Sequence, residues 1–129
     1  MSKSKILSLV CVYKGSTSLV NRTFGLLGRQ VITGNCALAQ LTSNNMKPSE
    51  AWAQYIKTFP VSVQCVYENQ AEQDLYYLIR KNTPCVIAIC NYNQKIILLD
   101  KNDLMNCHSD IGLFDMYIQT AVKAKFLTF

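Results

Sequence analysis

Residues 84 to 100 read PCVIAICNYNQKIILLD, and their reading decides the fold. Cys85 to Cys90 is an apolar run of β-branched and small residues. It is too short for a buried helix, and it is bounded by Pro84 before and Asn91-Tyr92-Asn93-Gln94 after. Short apolar runs between turn residues read as strands, so the stretch is predicted to be a β-hairpin. Its first arm is apolar on both faces and therefore central in a sheet; its second arm is Lys95 to Asp100.

Working outward, Asn69-Gln70-Ala71-Glu72 is a helix start, with Asn69 as cap and Glu72 answering it. Ala71, Leu75, Leu78 and Ile79 form the apolar stripe, Arg80 and Lys81 complement the C-terminal dipole, and Asn82-Thr83-Pro84 closes the helix. Before it, Val61 to Tyr67 alternates as a half-buried strand does. Trp52, Tyr55, Ile56 and Phe59 recur at helical spacing between Pro48, suited to a first turn, and the terminating Pro60. At the front, Lys5 to Tyr13 is a strand rich in Ile, Leu and Val, interrupted by Ser8, and Ser18 to Leu27 is a candidate helix. Asp110 to Lys125 places Ile111, Phe114, Ile118 and Ala121 on one helical face, although HSDIGLFD could equally open as a strand. The expectation is an α+β fold: one domain over residues 1–129, with N-terminal helices around a Cys-bearing helix followed by a β-α-β-β unit in a small, mostly antiparallel sheet.

Composition narrows the function classes. Of the 129 residues, 50% are hydrophobic and 16% charged, which excludes a disordered chain, and no apolar run approaches the length of a membrane span. The N-terminal lysines and short apolar run lack a cleavage site, so a cytoplasmic, intracellular chain is expected, with its six cysteines reduced. Cys11, Cys65, Cys85 and Cys90 fall within the strand readings, where a free thiol packs as a small apolar group. No C-x-x-C occurs and the one histidine adjoins Cys107, so neither a metal nor another cofactor is called for. The net charge of +5 is unevenly placed: residues 1–49 carry six basic side chains and no acidic one. A basic face of this kind could meet nucleic acid or an acidic partner, and tyrosines left outside the apolar stripes, Tyr76 among them, suit a protein or peptide partner.

One stretch carries a sharper chemical reading. In GRQVITGNCALAQLT, residues 28 to 42, glycines bracket a turn that leads into Asn35 and Cys36 at a helix start, where free N–H groups and the dipole stabilise a thiolate. Gln30 could donate to an oxyanion formed beside Cys36, and His108 is the one imidazole available as base, oriented by Asp110 or Asp115. The Gln30, five residues, Cys36 pattern resembles papain-like thiol hydrolases. RQVITGNCALAQL is similar to the nucleophile segment of peptidase domains that process bacteriocin leaders, and DLYYLIRKNTPCVIAIC resembles the helix, proline and strand of the same domains. Those peptidases begin the next strand with His, where this chain has Gln94-Lys95. Cell-wall amidases of the same fold begin a later strand with His, which HSDIGLFD resembles. The resemblance implies cleavage of a peptide or amide bond by a Cys36 nucleophile and a His108 base. The alternative is a non-catalytic binding module: an adaptor, an inhibitor or a nucleic-acid-associated protein.

Overall fold

The structure is a computed structural model; it describes residues 3–14, 38, 41, 43–44, 47–68, 71 and 73–129. Strand β1 (Ser4–Tyr13) is followed by a two-residue pair, β2 (Ser43–Asn44) and β3 (Lys47–Pro48). Then come helix α1 (Glu50–Thr58), β4 (Ser62–Tyr67), α2 (Gln73–Ile79), the hairpin β5 (Cys85–Cys90) and β6 (Lys95–Leu99), α3 (Lys101–Asn106), α4 (Ile111–Ala124) and β7 (Leu127–Thr128).

The main sheet runs β4-β1-β5-β6, with β7 beside the start of β1. The fold is thus α+β, and the predicted hairpin and the interior position of its first arm are both present. The sheet is mixed: β1 pairs antiparallel with β5, and β5 with β6, while β1 runs parallel to both β4 and β7. Parallel pairing needs a long crossover, and the stretch between Tyr13 and Ser62 supplies one.

Strand alternation divides the core in two. On the front face Leu9, Cys11 and Tyr13 of β1 and Val86, Ala88 and Cys90 of β5 pack against Trp52 of α1, Leu104 of α3 and Phe114, Ile118 and Val122 of α4. On the back face Val10, Val12, Cys85 and Ile87 meet Leu75 and Ile79 of α2. Ile6 would belong to the back face by parity. A bulge between Ile6 and Ser8 returns it to the front core and leaves Leu7 half exposed. A second bulge between Val86 and Ile87 buries both Leu98 and Leu99 in front.

The helix ends follow local chemistry. Ser49 caps α1, its Oγ accepting from the Trp52 N–H at 3.1 Å, so the helix begins two residues later than the Pro48 first turn expected from sequence; Pro48 lies in β3. Asp100 and Asp103 cap α3 reciprocally, a helix not anticipated in the sequence. Asp110 caps α4, which settles HSDIGLFD as a helix start. Asn69 and Glu72, the expected start of α2, lie outside the described residues, and the helix is described from Gln73. Leu38 and Leu41 have helical backbone and are buried in the front core; the candidate helix over Ser18 to Leu27 and the remainder of the expected Cys-bearing helix lie outside the described residues.

Candidate functional site

Cys36 and Gln30 are outside the described residues, so the described structure places only the proposed base and its two candidate orienting acids. His108 sits in the turn between α3 and α4, exposed, with its N–H donating to the Met105 carbonyl at 3.2 Å. His108 and Ser109 have φ of 49° and 59°, two successive left-handed positions without glycine. They let the chain reverse so that the Asp110 N–H donates back to the Cys107 carbonyl at 2.8 Å. Both acids have other employment. The Asp110 Oδ1 accepts from the Leu113 N–H at 3.1 Å as the α4 cap. The Asp115 Oδ1 accepts from the Tyr55 hydroxyl at 2.8 Å, tying α4 to α1. Burial, then the hydrogen bond to Asp115 and its negative charge, hold the Tyr55 hydroxyl protonated far above its ordinary range.

A groove opens on the other side of the sheet. Register aligns three rows across the back face. Val66, Val12 and Cys85 form the first, Gln64, Val10, Ile87 and Ile97 the second, and Ser62, Ser8, Ile89 and Lys95 the third. The rows grade from hydrocarbon to polar. Helix α2 packs on the apolar end with Leu75 and Ile79, and the polar end is left as a groove of about 320 Å³. Its floor is Val10, Val66, Leu75 and Ile89, and its polar groups are Ser8, Gln64, Asp74, Asn93 and Lys95.

At its rim the Lys95 Nζ lies 2.7 Å from Asp74 Oδ2 and donates to Asn93 Oδ1 at 3.1 Å, joining α2 to the hairpin tip. The lysine beside it, through both hydrogen bond and charge, holds the Asp74 carboxyl below its usual value. Tyr77 follows Asp74 by one helical turn and is 67% exposed; Tyr92 at the hairpin tip, with φ of 58°, is 97% exposed. Tyr76 and Tyr77 meet edge-on with ring centroids 6.2 Å apart.

The groove lining contains neither His108 nor Asp110 nor Asp115. Among the described residues no three His, Cys, Asp or Glu side chains converge to hold a metal ion, and no helix is long and apolar enough to cross a membrane. The sequence pointed to exposed tyrosines, Tyr76 among them, but not to the groove. Its signal was the polar interruptions at Ser8 and Gln64 in otherwise apolar strands, which coincide in space only once the β1–β4 register is known. No protein-family model, curated protein or solved structure matches this chain.

Proposed function

We propose that the chain is a binding module that holds a peptide segment of a protein partner along the back groove, with Tyr77 and Tyr92 as anchors. The observation that carries this reading is a groove with an apolar floor and a polar margin, rimmed by the Asp74–Lys95 pair on two elements that also carry the exposed rings of Tyr77 and Tyr92. Exposed aromatic side chains around a partly apolar concavity are the usual composition of an interface centre. The groove is of the size that accepts one or two side chains, and the Asp74–Lys95 pair offers a peptide both a donor and an acceptor. A reducing, intracellular setting belongs to the same reading, supported by the strand-buried free thiols that pack as small apolar groups.

The test is selection from a random peptide library on the immobilised full chain, followed by affinity measurements on variants. Tyr77→Ala and Tyr92→Ala should each weaken a selected peptide about tenfold or more, a loss of roughly 1.4 kcal/mol or above. Met116→Ala, exposed on α4 across the sheet, should change nothing. Failure to select any peptide, or peptides indifferent to both tyrosines, would overturn the reading.

A thiol hydrolase is the second reading, favoured by one observation: the chain's single imidazole is presented to solvent by two successive left-handed residues, and backbone strain of that kind gathers at functional sites. Its test is the alkylation rate of Cys36 against pH. Preferential labelling below the ordinary thiol range, lost in His108→Ala, would support it; a Cys36 no faster than other thiols would dismiss it.

A further inference from the structure

The front face holds a pair of thiols that neither reading uses. Cys11 of β1 and Cys65 of β4 are direct partners in the parallel ladder, with Leu9 and Val63 one step below and Tyr13 and Tyr67 one step above on the same face. Neighbouring strands run about 4.8 Å apart, inside the roughly 4.4–6.8 Å between Cα atoms that a disulfide spans.

The two sulfurs differ in setting. Cys11 is fully buried, whereas Cys65, on the strand that ends the sheet, is partly exposed. Cys11, then Tyr13 and Trp52, are the neighbouring side chains whose hydrogen-bonding groups favour the Cys65 thiolate. Donors gathered around one sulfur stabilise its thiolate, and these outweigh burial, so Cys65 ionises below the ordinary thiol range. The shared proton stays on Cys11, held there by its hydrogen bond to Cys65 and by burial. A partly exposed sulfur on the edge strand, directly opposite a fully buried protonated neighbour, has the arrangement of an attacking and a resolving cysteine.

We propose that Cys65 and Cys11 form a redox-modification site at which a hydroperoxide is reduced and the two sulfurs become joined across β1 and β4. The Cys65 thiolate attacks the terminal peroxide oxygen, the O–O bond breaks, and the departing alkoxide takes a proton to leave as an alcohol. Cys65 is then a sulfenic acid. The Cys11 sulfur attacks the Cys65 sulfur, the S–O bond breaks, and hydroxide leaves with the Cys11 proton as water. Two thiols are oxidised by two electrons, and the hydroperoxide is reduced to alcohol and water. A dithiol can reverse the bridge by thiol–disulfide exchange, which makes the modification reversible.

The experiment treats the folded full chain with a slight excess of hydrogen peroxide, blocks remaining thiols and maps peptides without reduction. The first new linkage should join the Cys11 and Cys65 peptides and vanish on adding a dithiol. Cys11→Ser should stop at a sulfenic acid on Cys65 that a cyclic 1,3-dione captures. Tyr13→Phe, which removes one donor and keeps the ring, should slow Cys65 oxidation about three- to tenfold. The proposal is overturned if Cys65 and Cys11 stay reduced while another thiol oxidises first, or if Cys65 pairs with a different cysteine. The wild-type map decides this even if Cys11→Ser does not fold.

Discussion

Asp110 was attractive in the sequence as a neighbour that could orient His108, and in the structure its carboxylate closes the first turn of α4. The two roles make different predictions. A cap needs only a side-chain oxygen, so Asp110→Asn should leave urea stability nearly unchanged, whereas Asp110→Ala should cost about 1 kcal/mol. If peptide hydrolysis were found and fell steeply in Asp110→Asn, the carboxylate's charge would be serving His108 as well. Other residues report on burial through pH. Burial, with Glu68 adding, pushes the Cys85 thiol up to about 12, and burial followed by Asp103 and Asp110 pushes Cys107 up to about 11. In the unfolded chain both ionise near their ordinary pKa of about 8.5. Their contribution is therefore complete below that pH and is lost as pH rises toward the folded values, because the unfolded chain sheds protons that the folded chain keeps. The urea midpoint should fall between about pH 8 and about pH 10, and Cys107→Ala should make that fall shallower. A midpoint flat across this range would mean that these thiols are not enclosed in the native chain.

At the scale of elements, what could be read in advance was what a local pattern encodes. The hairpin at Cys85–Leu99 and the α4 stripe of Phe114 and Ile118 carry their own periodicity and boundary residues. Helix α3 escaped because its signal is compressed into Asp100 and Asp103, an aspartate standing where a capping box ordinarily has Glu or Gln. Strand β7 is two residues long and exists only because β1 lies beside it. The groove and the Cys11–Cys65 pair were illegible for a related reason. Each depends on which residue of β4 stands opposite which residue of β1, and parallel register across a long crossover leaves no mark in either strand alone. The bulge at Leu7 compounds this, since parity counting from Ser8 assigns Ile6 to the wrong face. Element packing makes its own prediction. Ile118 is fully buried on α4 and Met116, two residues away, is 63% exposed. Ile118→Ala should lower unfolding free energy by about 2–5 kcal/mol, and Met116→Ala by no more than about 0.5 kcal/mol. Equal costs would mean that α4 packs on a different face.

Across the whole molecule the two faces of the sheet are unequal, and the inequality bears on function. The front core joins β1, β5, α1, α3 and α4 with the aromatic contacts of Trp52 and Tyr55 on Phe114 and of Phe59 on Phe129. Among the described residues, the back core is covered by one seven-residue helix, α2, through Leu75 and Ile79. Local opening free energy follows the apolar area each element buries, so α2 should open without the rest while β1 and β5 exchange their amides only on global unfolding. Native-state hydrogen exchange in rising denaturant should therefore separate the amides of Leu78 and Ile79 from those of Val10 and Ile87, the first pair exchanging with little denaturant dependence. The same helix carries Asp74 and Tyr77, half of the proposed peptide contact. A peptide selected on the groove should slow α2 exchange and, by the same factor, exchange of the β1 and β5 amides, since the ligand must leave before either the local or the global opening. Protection confined to the turn around His108 would instead place the ligand on the front face. Uniform exchange of α2 with the sheet in the free chain would show that the back face is as firmly closed as the front.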